Sequence, residues 1–232
     1  AELLHSINEA KPAAVGLGIL FPERDRTSPI HWQQTLRREH GYSIDTTDIP
    51  EQYLDNDVYL ADTLSQGPFV LGYEFFFREG AGEIQDCSPK SIPLMWQKSN
   101  YNQASSVNLH PATGIICNYP VLEKSVEWSG FLNGTVDSDG AIRRLPLVIS
   151  FNENVYPSFA LAMLLQYFDG DALVIKERYE GIPSLSLKQL DVTVDHRGQY
   201  MLGPPMDDRN THLSALDILE GKIESTLLSG KI

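Results

Sequence analysis

Apolar residues along this chain recur first with a helical period and then as unbroken runs, and the alternation between the two predicts the architecture. Leu3, Leu4, Ile7 and Ala10 fall on one side of a helix that Pro12 ends. Ala13 to Phe21 is then apolar throughout, with Gly16 and Gly18 inside it, the pattern of a strand covered on both faces in a parallel or mixed sheet. A helix over Ile30 to His40 follows, opened by Pro29, capped by Thr27 or Ser28 and stopped by Gly41. After a polar loop, Leu54, Val58, Ala61 and Leu64 mark a second helix, and Asp55, Asp57 and Asp62 among them read as its hydrated face. Pro68 to Phe77 is again apolar, so helix followed by strand has occurred twice, which argues for βα units around one sheet.

The period then lapses. Residues 78–122 hold scattered glycines and prolines without sustained repetition and read as an irregular insertion, a ligand lid or a cover for a sheet edge. Beyond it, Glu127 to Phe151 predicts a hairpin with Asp139-Gly140 at its turn and Ile142, Leu145, Leu147, Ile149 and Phe151 on its far arm. Arg143 and Arg144 are adjacent on that arm, so at most one of them is expected to face a cleft. Phe159 to Phe168 is apolar almost all round and predicts a helix buried between layers or at a subunit contact. A strand over Ala172 to Ile175 follows, then Leu190 to Val194 paired with Gln199 to Leu202 across Asp195-His196-Arg197-Gly198, and a last helix over Leu213 to Glu220. The fold class predicted is α/β: a mixed, largely central sheet flanked by helices, within one domain spanning 1–232.

Composition narrows the function. With 232 residues and 42% hydrophobic content the chain is long enough to fill a core. Its 18 basic against 31 acidic residues argue against phosphate-backbone contacts, so nucleic acid is excluded, and the same field is repelled by anionic lipid headgroups. No apolar run approaches the roughly 20 residues of a spanning helix. The chain opens at Ala1 and closes at Gly230-Lys231-Ile232, from which the expectation is a fragment trimmed at both ends, with a leading strand absent before the first helix.

The candidate chemistry lies at loops. Ligands in open α/β sheets gather beyond the carboxyl ends of strands, which singles out Glu23, Asp25 and Arg26 after the first apolar run, although a solvated, self-paired loop fits them equally. Arg143 and Arg144 complete the candidate ligand-binding set. Asp137, Asp139 and Gly140 begin like a calcium loop but lack its terminal acid. No HExxH, CxxC, P-loop or GxSxG occurs, and the six histidines show no metal-ligand spacing; His31 alone reads as a surface or packed histidine. No catalytic residue, metal or cofactor is expected. Cys87 and Cys117 are the only cysteines: one bridge closing a loop of about 30 residues, with roughly 3 to 4 kcal/mol in the chain-entropy model, or two buried thiols.

Three stretches carry a resemblance. They are W-S-G-F-L-N with D-S-D-G-A-I-R-R-L-P-L and Y-P-S-F-A-L-A-M; AAVGLGILFPERDRTSP near the start; and HLSALDILEGKIESTLLSGKI at the end. Together they resemble the second type of CHASE domain, an extracytoplasmic sensory module of bacterial cyclases and histidine kinases. Gly18 stands where many members carry an aspartate, so no role of that acid is transferred. The resemblance implies a periplasmic signal-input domain of an inner-membrane protein, responding to a small-molecule or envelope signal or to rearrangement of a homodimer. It further implies that membrane contact runs only through transmembrane helices outside this sequence, and that enzymatic output lies elsewhere in the parent. A periplasmic hydrolase with a carboxylate site and a non-binding dimerisation scaffold are the alternatives.

Overall fold

The computed structural model of the chain describes residues 1–78, 89–97, 108–177, 183–203 and 212–232. In chain order these hold α1 (Glu2–Glu9), β1 (Val15–Leu17), α2 (Pro29–His40), α3 (Asn56–Ser65), β2 (Phe69–Phe76), β3 (Leu94–Gln97), β4 (Gly114–Ile116) and α4 (Pro120–Glu123). There follow β5 (Trp128–Phe131), β6 (Arg144–Pro146), β7 (Val148–Phe151), β8 (Asn154–Pro157), α5 (Phe159–Phe168), β9 (Leu173–Glu177), β10 (Pro183–Leu187), β11 (Leu190–Thr193), β12 (Gln199–Met201) and α6 (Ala215–Leu219).

Strand β2 organises the core, because its consecutive apolar side chains must leave the sheet on opposite faces. Leu71 joins Leu4 of α1, Ala61 and Leu64 of α3 and Leu122 of α4, while Val70 joins Leu161, Ala162 and Leu165 of α5. Full burial of such side chains contributes about 1.5–3 kcal/mol each. The sheet is mixed: β1 and β5 run parallel to β2, and β4 pairs antiparallel with its second half.

Both edges of β2 are continued by a side chain where a strand stops. On one edge Asn118 accepts from the Phe21 N–H at 3.0 Å and donates to the Gly72 carbonyl, bridging the gap between β1 and β4. On the other, beyond β5, Asn133 accepts from the Phe75 N–H at 2.8 Å and donates to the Phe75 carbonyl. Each amide supplies one donor and one acceptor, as a backbone unit does, and so pairs peptide groups at these points of the sheet.

The largely apolar helix α5 lies between this sheet and a second one ordered β11-β10-β9-β3, whose Leu173, Ile175, Leu185 and Leu187 complete the cluster around it. Ser158 caps its N-terminus by accepting from Leu161 N–H. The approach to β5 is close enough that a Cβ on Gly130 would stand 2.5 Å from the Phe159 Cα. The apolar residues Leu161, Ala162 and Leu165 of α5 are buried where it meets the two sheets, while Ala160 and Tyr167 are exposed.

The fold is thus mixed α/β with a central, mostly parallel sheet flanked by helices. Several local readings need correction. The apolar run 13–21 supplies only three strand residues, since beyond Leu17 the chain leaves β2 and returns Phe21 to the α1–α3 core. The predicted hairpin is a turn whose arms go elsewhere: β5 pairs with β2 and β6 with β12, and a single bridge, Thr135 to Arg144, joins the two sides. Gly140 does hold the left-handed conformation the turn needs, with φ +83°. The true hairpin is β7–β8, turned by Asn152 and Glu153, both at positive φ. Likewise β11 pairs with β10, not with β12. Helix α1 packs against α3 and α6. Of residues 78–122, β3 joins the second sheet and β4 the central one.

Candidate functional site

The loop after β1 and the start of α3 meet in a knot of carboxylates. Asp55 is the N-cap of α3 and accepts from the Asp57 and Val58 N–H groups through Oδ1. Asp57, one turn position on, is only 6% exposed and accepts from the Asp25 N–H at 2.9 Å through Oδ2. Asp25 in turn gathers donors from Thr27 N–H, Thr27 Oγ1, Ser28 Oγ and Asn56 Nδ2. Ser28 stands at the N-cap of α2, but its hydroxyl accepts from Asn56 N–H and ties the α2 entrance to α3. His31, in the first turn of α2, places Nε2 3.6 Å from Asp55 Oδ2.

These neighbours set opposite acidities. Burial works to raise the Asp25 carboxyl, yet the hydrogen bonds from Thr27, Asn56 and Ser28 outweigh it and hold the group below the ordinary aspartate value. Asp57 is pushed above that value by burial first, with Asp55 and Asp25 adding repulsion against the lowering effects of the Asp25 N–H and His31.

A cleft of about 650 Å³, open to solvent, lies beside this knot. Glu2, Glu23, Asp25, Asn56 and Asp57 are among its polar lining residues, and Leu3, Phe21, Leu60 and Leu219 among its apolar ones. Of the candidate ligand-binding residues, then, Glu23 and Asp25 line one cavity. Arg26 does not line it; its guanidinium pairs with Glu23 at 2.5 Å on the exposed loop. Arg143 and Arg144 are elsewhere and engaged. Arg143 binds Asp137 at 3.0 Å and Asp139 at 2.7 Å, and Arg144 binds Asp137 at 3.2 Å. Both consecutive arginines reach one carboxylate because Arg143 precedes β6, where strand alternation has not begun. The arrangement expected from sequence, an arginine from the turn beside Glu23 and Asp25, does not occur in this cleft.

Three candidate residues were not visible as such in the chain. Asp57 and Asp55 read as a hydrated helix face, and only Asp62 of the three acids is one. His31 read as a lone histidine; in space it joins Asp55 and Asp57, each presenting a ligand atom within 4.8 Å of the other two. The signal available was the N-cap pattern D-N-D at the start of α3, which marks an acid turned inward onto the backbone. Cys117 is fully buried and disulfide-bonded; Cys87 lies outside the described residues. Among the described residues no helix is long and apolar enough to cross a membrane.

Comparison with known families specifies the class of this layered α/β domain. The CHASE2 domain model matches residues 1–232, so the chain belongs to the CHASE2 domain family, extracytoplasmic sensory domains of bacterial signalling proteins. No curated protein and no solved structure matches it.

Proposed function

We propose that this domain is the signal-input part of a membrane-bound bacterial signalling protein, a histidine kinase, adenylate cyclase or diguanylate cyclase, and that its signal is a small molecule held in the cleft between α1, α3 and the β1–α2 loop. The observation that carries the reading is the lining of that cleft: the carboxylates of Glu2, Glu23, Asp25 and Asp57 together with the carbon of Leu3, Phe21, Leu60 and Leu219, and no lysine or arginine side chain among the described lining residues. Its volume of about 650 Å³ falls in the range of small-molecule sites, roughly 300–1,000 Å³. Such a surface selects a ligand with an amine or several hydroxyl donors on an apolar body. The cleft joins elements far apart in the sequence, so a ligand bound there favours whichever arrangement of α1, α3 and α6 holds it more tightly, and only that difference in affinity transmits a signal.

The test is a thermal-shift screen of the purified domain in chelator with amines, polyamines, amino sugars and matched carboxylates. A concentration-dependent rise for a cationic or polyhydroxylated compound, about 2.7 kcal/mol of added stability at a hundredfold excess over Kd, and its loss in Glu23→Gln and Leu60→Ala, are expected. Selective stabilisation by the carboxylates, or turnover of a screened compound that disappears with Glu23→Gln, overturns the reading.

A further inference from the structure

We propose that His31, Asp55 and Asp57 form a binding site for a divalent transition cation of the zinc class, clamping the first turn of α2 to the start of α3. The donor set is one imidazole nitrogen and two carboxylate oxygens, which suits zinc and its neighbours; magnesium and calcium favour oxygen alone. The geometry is nearly formed. Ligand atoms around a tetrahedral zinc stand about 3.3 Å apart, given bonds of about 2.0–2.2 Å. His31 Nε2 and Asp55 Oδ2 are 3.6 Å apart, and no pair in the trio exceeds 4.8 Å, so a side-chain movement of about an ångström closes the site.

Two further observations point to a cation. The first is charge: among the described residues no lysine or arginine pairs with Asp25, Asp55 or Asp57, and the imidazole of His31 is the only basic group in contact with them. The second is how the carboxylates are used. Asp55 spends Oδ1 on the α3 N-cap and turns Oδ2 to His31. Asp57, more than nine-tenths buried as a residue, accepts from Asp25 N–H through Oδ2 and also lines the open cleft. The partial positive charge of the two helix N-termini opposes a cation here; the capping oxygens of Asp55 absorb part of that field.

The site matters because α2 buries none of its residues completely. Its entrance is held by the Ile30 N–H to Leu54 carbonyl bond and by the Ser28–Asn56 contact. A cation adds a stronger tie at that same place. Because Asp57 also lines the cleft, zinc with three protein ligands leaves a fourth position for water or for the cleft's ligand; that last step rests on the function proposed above.

The experiment is calorimetric titration of the chelator-treated, dialysed domain with zinc chloride, with magnesium and calcium as parallel arms, and melting curves for each. One zinc per chain and a rise in Tm are expected, with affinity falling at least tenfold in His31→Gln and in Asp55→Asn, the second of which keeps an N-cap residue. Circular dichroism confirms that both variants fold. No zinc binding up to millimolar concentration, or unchanged affinity in both variants, overturns the site; the latter assigns the metal to another histidine, such as His5 beside Glu9. Tighter binding of magnesium or calcium than of zinc overturns the metal class. Organic ligands are screened in chelator, so zinc binding and cleft binding fail independently.

Discussion

The two edges of β2 are built alike and end in opposite electrostatic states. On each edge an asparagine side chain continues the sheet where a strand stops, and an acid-rich loop lies close by: Glu23 and Asp25 follow Asn118's partner Phe21, and Asp137 and Asp139 follow Asn133 itself. At the second loop Arg143 and Arg144 close onto Asp137 and Asp139, so the turn is neutralised within itself. At the first, Arg26 takes only the exposed Glu23, while the Asp25 carboxylate accepts from Thr27, Ser28 and Asn56 and its N–H donates to the buried Asp57. The same mixture of acids and arginines thus yields a closed ornament on one side and uncompensated charge beside a cleft on the other. Local charge balance in a sequence does not reveal where a binding surface lies; which carboxylate the backbone turns inward does.

The largest expected effect tests the likeness of the edges. Asn118→Ala strands the Phe21 N–H and the Gly72 carbonyl in the core and removes a third bond, to Glu123 at 2.9 Å. A loss of about 2–4 kcal/mol in urea unfolding is expected, against about 1–3 kcal/mol for Asn133→Ala, whose site is less buried. Losses below about 0.5 kcal/mol in both variants would mean that water replaces these amides and that the edges are not held by them.

Why the edges were legible only in part follows from their physics. Period and punctuation are local, so α1, α2, α3, β2 and α5 could be placed from the chain, and Gly41 does stop α2 with φ +70°. The fully buried β10 escaped because Pro183 to Leu187 follows a stretch with no period and offers only short alternation. Strand partners are not local. The turn at Asp139-Gly140 was readable, but its arms pair with β2 and β12 through tertiary packing that turn residues do not encode. The site divides the same way: Glu23 and Asp25 stand at the end of an apolar run and could be named as candidates from the chain, whereas Asp57 and His31 come together only when α2 and α3 meet.

Opposite signs are expected when one charge is removed from each loop in metal-free buffer. Asp57→Asn keeps an oxygen for the Asp25 N–H and relieves repulsion with Asp55 and Asp25. Tm should rise by roughly 2–4 °C, the shift that about 1 kcal/mol produces in a domain of this size. Asp137→Asn takes the shared carboxylate from two exposed guanidiniums and should lower stability by less than about 1 kcal/mol, less still in high salt. A fall in Tm for Asp57→Asn would show that the buried charge is stabilising as it stands and would remove the contrast between the loops.

The smallest effect is also the most direct reading of that contrast, since it follows single carboxylates by NMR in chelator as pH is lowered. Asp139 is held below the ordinary aspartate value, first by the Arg143 side chain and then by the Ala141 N–H, so its folded form binds fewer protons than the unfolded chain. Its contribution to stability is present above the unfolded value and fades as pH falls through the depressed one. Asp57, raised by burial, binds more protons folded than unfolded, so its contribution runs the other way: stability falls as pH rises from the unfolded value through the raised one. Midpoints on opposite sides of the ordinary value are therefore expected, with Arg143→Gln moving Asp139 up and leaving Asp57 in place. Two midpoints on the same side would mean that the inward-turned carboxylate has found a cationic partner, and the cleft would then be as closed as the turn.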